Sequence, residues 1–332
     1  MPDLPPPTPI GFISEMWPPR PQWTADQVPD LSGQVMIVTG GSAGLGKETC
    51  RILLTRNAKV YLAARSQAKA QAVIDELKAK TGKTDVYFLK LDLADLPSVR
   101  KAAEEFEGKE KELHVLFNNG YGVLNQTGGP VTAQGYDEQF GTNVLGEYGH
   151  FFFTILLLPV LLRTAKGEVS GTPRKVRVVN VSSSGHSLLA PPGGIAWETL
   201  EKDDASLDVR KKLGMRLYSQ SKLGNVLFSN ELAKRYGDQG IVSISLHPGI
   251  VRTELNRDVN WIAAWIVSKL LLYDVSYGVL TQLYAGTSEE ALQLNGEYLT
   301  AWARRQVPSK HATDAELMSK LWTWCEQQVE GF

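Results

Sequence analysis

The chain has 332 residues, of which 43% are hydrophobic and 21% are charged, so it is long enough to bury a full core within one large domain. Its formal net charge of −1 argues against a nucleic-acid partner, because binding a polyanion normally needs a basic face. Cys50 and Cys325 are too few for a disulfide framework and lack metal-ligand spacing, which predicts no metal site and a reducing, cytoplasmic compartment.

The N-terminal residues 1–30 hold nine of the seventeen prolines and predict an irregular or polyproline-like arm ahead of a main domain at residues 31–332. The arm lacks a basic region followed by an apolar stretch, so it does not resemble a signal peptide. Trp17 and Trp23 are candidates for anchoring the arm to the body of the protein. A proline-rich ligand for another protein is the alternative interpretation.

Strands alternate with helices along the rest of the chain, which predicts a parallel sheet covered on both faces. The predicted strands are Val35–Thr39, Lys59–Ala63, Val86–Leu91, Leu113–Asn118, Val176–Val181 and Ile241–Leu246. The predicted helices are Lys47–Arg56, Gln67–Lys80, Pro97–Glu107, Gly135–Thr164 and Arg216–Tyr236. The longest apolar run, Phe151–Leu162, is about half the length needed to cross a bilayer, so we expect a buried helix and no transmembrane segment.

A glycine-rich turn, TGGSAGLG at residues 39–46, lies between the first strand and the first helix. In a doubly wound fold this turn must let the backbone approach a pyrophosphate, while the helix N-terminus supplies N–H donors. Gly40, Gly41, Gly44 and Gly46 suit that requirement. Their spacing is not that of the common G-x-G-x-x-G fingerprint, and it is their position between strand and helix that favours a nucleotide site over a purely structural turn.

The end of the second strand indicates which cofactor is used. NAD-binding folds usually place an acidic residue there, on the ribose 2′-hydroxyl. Here the sequence is Tyr61-Leu62-Ala63-Ala64-Arg65-Ser66, without a carboxylate, and Arg65 is able to pair with a 2′-phosphate. We therefore expect NADP(H) in preference to NAD(H), against the alternative that Arg65 is an ordinary solvated charge.

Tyr218 and Lys222 lie one helical turn apart in the segment YSQSK. A phenol has a pKa of about 10, and a neighbouring ammonium together with an oxidised nicotinamide would lower the pKa of Tyr218, by two to three units in a buried site. Downstream of a nucleotide-binding turn, this pair predicts a proton donor beside a hydride carrier. The alternative is an ordinary surface pair at i and i+4.

Ser183 follows the strand Val176–Val181, at the edge where open sheets bind their ligands, and its hydroxyl is a candidate for holding the substrate oxygen. Ser182 and Ser184 compete for that role, and a run of serines at a strand end is often only a turn.

Taken together, these residues closely resemble the classical short-chain dehydrogenase/reductase family, and in particular its retinol-dehydrogenase-like branch with fungal members. The resemblance covers residues 31–322. It rests on TGGSAGLG, Asp92-Leu93, Asn118-Asn119, TNVLG around Asn143, NVSSS, YSQSKLGN and His247-Pro248-Gly249 leading to Thr253. It implies a single-domain Rossmann-like α/β fold: a doubly wound, mainly parallel seven-stranded sheet with helices on both faces.

The resemblance also implies a catalytic tetrad, in which Asn143 holds a water, Ser183 polarises the substrate oxygen, Tyr218 exchanges the proton and Lys222 binds ribose hydroxyls. Asp92 would contact adenine, Asn118 and Asn119 would support the cofactor strand, and the segment from Pro248 to Thr253 would meet the nicotinamide amide. The full cofactor-binding set predicted here is Gly40, Ser42, Gly44, Leu45, Gly46, Arg65, Asp92, Leu93, Asn118, Asn119, Tyr218, Lys222, Pro248, Gly249, Val251 and Thr253.

Two departures from the family pattern stand out. Asn118-Asn119-Gly120-Tyr121-Gly122 replaces the usual Asn-Asn-Ala-Gly, so we expect Tyr121 to intrude on the pocket. In addition, 34 residues separate Ser183 from Tyr218, a longer spacing that fits the retinol-dehydrogenase-like branch.

The apolar stretch WIAAWIVSKLLLY, Trp261–Tyr273, predicts a hydrophobic substrate lid at about residues 250–275. Oligomer or core packing, including a homodimer contact, and contact with a membrane surface are the alternatives. The lid and membrane interpretations both favour a lipophilic alcohol or carbonyl substrate. A sensor or scaffold that binds NADP without turnover is the alternative function.

Overall fold

The computed structural model describes residues 6–8, 15, 17–121, 131–132, 135–144, 150–251 and 273–332. Thr253, Gly122 and nearly all of the predicted lid lie outside these residues.

Eight strands in the described part of the chain form one sheet, in the order β3-β2-β1-β4-β5-β6-β7-β8. Strands β1 to β7 pair in parallel, and β8 pairs antiparallel with β7 at the edge. The bounds are β1 Val35–Thr39, β2 Lys59–Ala64, β3 Val86–Lys90, β4 Val115–Asn118, β5 Val176–Val181, β6 Ile241–Leu246, β7 Tyr298–Thr300 and β8 Arg304–Gln306. The predicted doubly wound parallel fold is confirmed, with one antiparallel edge strand added to the expected seven.

Helices cover both faces of this sheet. They are α1 Gly44–Thr55, α2 Gln67–Thr81, α3 Leu96–Lys109, α4 Glu138–Asn143, α5 His150–Lys166, α6 Gly185–Leu188, α7 Asp204–Leu213, α8 Met215–Tyr236, α9 Val275–Thr287 and α10 Ala315–Val329. One apolar core joins α3, α5, α8 and α10 to the sheet, and the other joins α1, α2 and α9 to the opposite face. The buried helix predicted from Phe151–Leu162 is α5.

The single helix predicted over Gly135–Thr164 is wrong. Asp137 caps α4 by accepting a hydrogen bond from the Phe140 amide at 2.8 Å, and α4 ends at Asn143. A second helix, α5, begins at His150. Apolar spacing alone did not mark this division, although Gly146 and Gly149 in the intervening sequence disfavour a continuous helix.

The N-terminal segment contacts the main domain. Thr8 pairs with the edge strand, since Val307 N donates to Thr8 O at 2.9 Å. The Trp23 ring packs edge-on against Tyr284, with 5.6 Å between centroids, as its predicted anchoring role requires. Trp17 does not fit that role, because 55% of it is exposed.

The strand order reverses direction between β1 and β4, so a crevice opens at the carboxyl ends of these two strands. In open α/β sheets, ligands bind at this switch point. The glycine turn follows β1, and Asn119, Gly120 and Tyr121 follow β4, so both segments lie at the crevice.

Candidate active site

The glycine turn is shaped for close backbone approach. Gly40 and Gly44 have φ values of +66° and +49°, a backbone region that residues other than glycine rarely adopt. A Cβ on Gly46 would lie 2.4 Å from the Gly40 carbonyl oxygen, so a larger residue would force the turn open. Helix α1 begins without a side-chain cap, which leaves its first backbone N–H groups available to an anion. This cradle fits the pyrophosphate of a dinucleotide.

Thr39 ties the glycine turn to the segment after β4. Its hydroxyl oxygen accepts hydrogen bonds from the backbone amides of Asn119 and Gly120, at 2.9 and 2.8 Å. The Asn119 side-chain amide donates back to the Thr39 carbonyl at 2.8 Å. The glycine turn and the segment after β4 are therefore joined by three hydrogen bonds, two of which come from Asn119.

His150, at the start of α5, lies behind this junction. Its Nε2 is 2.9 Å from Thr39 Oγ1, and the ring also hydrogen-bonds to the backbone of Asn143. Burial, with the nearby charge of Lys222, lowers the pKa of His150 to about 3. His150 is therefore neutral at physiological pH and acts as a fixed hydrogen-bonding link. Sequence reasoning missed both His150 and the role of Thr39.

Asn118 belongs to a row of buried polar groups that crosses the sheet. Its amide donates to Asn180 Oδ1 at 2.9 Å and to Thr154 Oγ1 at 3.0 Å. Asn180 in turn donates to Ser243 Oγ at 3.2 Å. The row connects β4, β5 and β6 beneath the crevice and holds their carboxyl ends in register.

The structure brings the four predicted catalytic residues together. Tyr218 and Lys222 lie on α8, and the Tyr218 hydroxyl hydrogen-bonds to Ser183 at the end of β5. Asn143, the last residue of α4, donates to Ser221 Oγ at 2.8 Å, and Ser221 donates to the Tyr218 carbonyl at 2.8 Å. The four residues are thus linked by these hydrogen bonds or by adjacent turns of α8.

The three serines after β5 differ in their contacts. Ser182 is buried and donates to the Lys222 carbonyl at 2.7 Å, so it holds β5 to α8. Ser184 precedes α6 without capping it. Ser183 is the serine whose hydroxyl contacts Tyr218, and it is also partly exposed.

Lys222 is only 2% exposed, and its Nζ donates to the Val181 carbonyl at 3.2 Å. The same carbonyl accepts from Asn225 at 3.0 Å. Burial lowers the pKa of Lys222 to about 7, because no carboxylate among the described residues compensates for the lost water.

The predicted lowering of the Tyr218 pKa required a bound oxidised nicotinamide as well as Lys222, and in the protein alone the shift has the opposite direction. Burial, reinforced by Tyr121 and opposed by the hydrogen bond from Ser183, raises the pKa of Tyr218 to about 12. Desolvation therefore outweighs the hydrogen bond from Ser183 here. A phenol with this pKa is protonated at neutral pH and is suited to donate a proton.

Tyr121 does reach the catalytic residues, as expected from the departure in the sequence. The Lys222 Nζ lies 5.5 Å from the centroid of the Tyr121 ring and 5.8 Å from that of Tyr218. Both distances are within the range of a cation–π contact. Two aromatic rings therefore flank the buried ammonium.

At the outer end of the crevice, Arg65 is exposed just after β2, and Lys90 donates to the Arg65 carbonyl. Ser66 caps the next helix, α2, because its hydroxyl accepts a hydrogen bond from Lys69 N at 3.3 Å. Lys47 of α1 is already paired with Glu76 at 2.6 Å. Arg65 and Lys90 thus make this edge of the crevice cationic.

Asp92 and Leu93 follow β3 at the same edge. The Asp92 carboxylate accepts from the Ala94 amide at 2.9 Å, which fixes the turn. Leu93 is buried, and a Cβ on Gly120 would lie 3.0 Å from its side chain.

The turn after β6 lies at the inner end of the crevice. Gly249 has a φ of +86°, and a Cβ there would be 3.0 Å from both Ala301 and the ring of Trp302. Val251 and Leu45 converge on Gly278 of α9, where a Cβ would be 2.6 and 2.7 Å from their side chains. This contact links the turn after β6 to the glycine turn. Pro248 is buried, and Ser42 is partly exposed in the glycine turn.

Two further observations concern what the described residues do not contain. No group of three or more His, Cys, Asp or Glu in this part of the chain is arranged to hold a metal ion. No helix among the described residues is long and apolar enough to cross a membrane.

Comparison with known proteins gives a consistent result. The sequence profile of the short chain dehydrogenase family matches residues 34–190. A short-chain dehydrogenase/reductase of Armillaria gallica is 49% identical over 323 residues, covering 97% of this chain and 98% of the relative. One of Phomopsis amygdali is 39% identical, with 96% of each chain covered.

Solved structures share the fold. A protein from Mycobacterium paratuberculosis superimposes with a TM-score of 0.68 at 29% identity, covering 93% of this chain and 97% of the other. RhlG of Pseudomonas aeruginosa in complex with NADP gives 0.64 at 20% identity, covering 85% and 98%. A 3-ketoacyl-(acyl-carrier-protein) reductase from Brucella melitensis with NADH gives 0.60 at 20% identity, covering 81% and 96%.

Proposed function

The chain belongs to the short-chain dehydrogenase/reductase family, and we propose that it is an NADP(H)-dependent enzyme that moves a hydride between the nicotinamide and a lipophilic primary or secondary alcohol or carbonyl substrate. Family membership makes it an oxidoreductase with a nicotinamide cofactor. The observation that carries the proposal is the contact of Tyr218 with Ser183, beside the buried Lys222, at the carboxyl end of the parallel sheet.

In this proposal Gly40, Gly44 and Gly46 would hold the pyrophosphate of the cofactor, and Pro248 and Gly249 would hold its nicotinamide end. When bound, it supplies or accepts the hydride. Leu45 and Val251 would support this seat, because both pack against Gly278. The cradle at Gly46, which has no room for a Cβ, supports this placement.

The side chains would divide the remaining work. Ser183 donates a hydrogen bond that orients the substrate oxygen, and Tyr218 transfers its proton to that oxygen during reduction. In the reverse direction Tyr218 takes the proton back. The positive charges of Lys222 and of an oxidised nicotinamide would favour the phenolate and bring the Tyr218 pKa down from about 12. Asn143 would hold a water for proton exchange with solvent.

Arg65 supports NADP(H) over NAD(H). It lies exposed at the end of β2 with Lys90 beside it, and no acidic residue occupies the segment from Tyr61 to Ser66. A 2′-phosphate at this edge would gain a charge-assisted hydrogen bond, whereas a free 2′-hydroxyl would find no carboxylate at the end of β2 to accept from it.

A lipophilic substrate is supported by apolar side chains beside the catalytic residues. Leu188 and Leu189, at the end of α6, are 53% and 45% exposed, and Met215, at the start of α8, is 39% exposed. Helix α6 packs against α8, and a Cβ on Gly185 would lie 3.6 Å from the Tyr218 ring. Large apolar groups left in water near a site are typical of a surface that binds an apolar ligand.

The long segment between Ser183 and Tyr218 supports placement in the retinol-dehydrogenase-like branch. It contains α7, Asp204–Leu213, whose buried Arg210 donates to the Thr199 carbonyl at 2.8 Å. The segment is therefore an ordered part of the domain.

The test is a turnover assay of purified protein with NADPH and with NADH over a panel of aliphatic, aryl, terpenoid and steroid carbonyls. The proposal expects turnover with NADPH that is fastest for large apolar substrates. Tight NADPH binding without turnover of any substrate would favour a sensor or scaffold instead.

The apolar rim can be tested separately with Leu188→Ser and Met215→Ser. Each should lower kcat/KM for a large apolar substrate by about ten-fold, since covering an aliphatic side chain with bound substrate contributes about 1.5 kcal/mol, and should affect a small polar carbonyl less. Val169→Ser, at a 52% exposed apolar residue after α5, is the matched control and should change neither substrate. Equal losses for both substrates would contradict the assignment.

A further inference from the structure

One acidic side chain of the N-terminal segment is buried in the main domain. Glu15 is 5% exposed, and its Oε1 accepts a hydrogen bond from Thr300 Oγ1 at 2.7 Å. Its Oε2 lies 3.6 Å from His247 Nε2, and the His247 side chain is also buried. Burying a carboxylate costs free energy unless its partners compensate, so an acidic side chain is an unfavourable choice if it only anchors the N-terminal segment.

The partners of Glu15 belong to two backbone segments: His247 leads into the turn after β6, and Thr300 belongs to the segment that supports this turn. His247 immediately precedes Pro248 and Gly249, and its backbone N donates to the Leu299 carbonyl at 2.8 Å. Thr300 is the last residue of β7 and precedes Ala301, against which Gly249 packs. Glu15 therefore bridges the segment that leads into the turn and the segment on which the turn rests.

The surroundings of Glu15 compensate for its charge only in part. The half-buried Arg304 guanidinium interacts with Glu15; burial lowers the pKa of Arg304, and Glu15 opposes that shift. The pKa of His247 is lowered to about 3, mainly by burial and further by His186 and Arg304. The pKa of Tyr298 is raised well above its usual value by burial and then by Glu15. Among the described residues, the titratable groups around the carboxylate are thus the Arg304 cation, the neutral His247 imidazole and the protonated Tyr298 phenol.

The same cluster extends to the backbone of the proposed catalytic serine. The ring of Tyr298 lies 4.9 Å from that of His186. His186 Nδ1 is 2.7 Å from the Ser183 carbonyl, and His186 Nε2 accepts from Ser309 N at 3.2 Å. A continuous set of buried groups therefore runs from Glu15 to Ser183.

We propose that Glu15 is a positioning residue for the turn formed by residues 247–251, which it holds through Thr300 and His247 in the shape that receives the nicotinamide end of the cofactor. The proline-rich segment then contributes to the cofactor site, and its contact with the main domain sets the affinity of the enzyme for its cofactor. This inference rests on the function proposed above, because the turn matters for catalysis only if a nicotinamide binds there.

The inference can be tested in the full-length protein with Glu15→Ala and Glu15→Gln. The amide oxygen of Gln can still accept from Thr300, and its NH₂ group can reach towards His247, so Glu15→Gln should retain most of the wild-type behaviour. Glu15→Ala should raise the Kd for NADPH by about ten-fold or more, the factor expected for losing a hydrogen bond to a charged group. Asp26→Ala removes an exposed acid from the same segment and is the matched control.

Hydrogen exchange of the peptide containing residues 247–251, measured without cofactor, provides a readout that does not depend on the proposed function. Its exchange should accelerate in Glu15→Ala and in Thr300→Val, and should remain at the wild-type rate in Glu15→Gln and Asp26→Ala. Unchanged exchange in both Glu15→Ala and Thr300→Val would overturn the inference, as would a Gln variant as impaired as the Ala variant. Faster exchange combined with a wild type that binds neither NADPH nor NADH would uphold the positioning of the turn and refute the proposed function.

Discussion

Replacing Lys222 with Met should stabilise the protein without cofactor while abolishing its turnover. Lys222 is buried with a single described hydrogen bond, to the Val181 carbonyl, and that carbonyl keeps a second donor in Asn225. Met has a similar length and no charge, so it fits the site without burying an ammonium. Residues held in place for catalysis are often unfavourable for stability, and Lys222 fits that description.

The size of the effect follows from the pKa of Lys222. Its fall from 10.5 to about 7 corresponds to at most about 5 kcal/mol, at about 1.4 kcal/mol for each pH unit. The variant loses the hydrogen bond of the Lys222 ammonium, which costs about 1.5 kcal/mol or more, so its net gain in stability is up to about 3 kcal/mol. Because the pKa is lower in the folded state, the unfolded chain binds more protons between about pH 7 and pH 10.5, and wild-type stability rises with pH in this window. The advantage of the variant is therefore complete below about pH 7 and shrinks as the pH increases.

The assay is denaturant unfolding of both proteins without cofactor at several values between about pH 6 and pH 9. Lys234→Met, at a lysine of the same helix whose side chain is 62% exposed, is the control and should change stability by less than about 0.5 kcal/mol. A Lys222→Met variant that is less stable than wild type, or whose difference from wild type does not depend on pH, would refute the reasoning.

Two further changes test the cofactor site. Arg65→Ala should weaken NADPH binding by about ten-fold or more and leave NADH binding nearly unchanged, since only a 2′-phosphate exploits that charge; equal losses for both cofactors would show that Arg65 does not contact the phosphate. Gly46→Ala should weaken the binding of both cofactors by at least about ten-fold and lower the thermal midpoint, because its Cβ would lie 2.4 Å from a backbone oxygen. Gly108→Ala, where a Cβ meets no atom within 4 Å, is the control, and similar behaviour of the two glycine variants in a binding titration would argue against the cradle.

The sequence predicted the fold well because its signals are local. Each of the six predicted strands is an apolar run next to a turn, and the structure reproduces all six within two residues at either end. Strands β7 and β8 have three residues each, too few for a periodic pattern, and are defined by pairing with β6 and with each other.

The sequence predicted the site residues that belong to recognisable motifs, but it predicted poorly the properties that depend on burial. The sequence predicted that Tyr218, Lys222 and Ser183 act together, but it did not predict that burial raises the pKa of Tyr218 in the protein without cofactor, because a sequence does not show how completely a phenol is desolvated. Glu15 carried no signal at all. Its partner Thr300 lies 285 residues away, and only the folded chain brings the two together.

The central claim, that Tyr218 is the proton donor of a nicotinamide-dependent reaction, is tested most directly by Tyr218→Phe, with kcat and the Kd for NADPH measured on the same preparation. The phenyl ring keeps the packing of Tyr218 and removes only the hydroxyl that contacts Ser183. We expect kcat to fall by roughly 100-fold or more, the contribution of a positioned proton donor, while the Kd for NADPH changes by less than about three-fold. A kcat within a few-fold of wild type on the best substrate would contradict the claim.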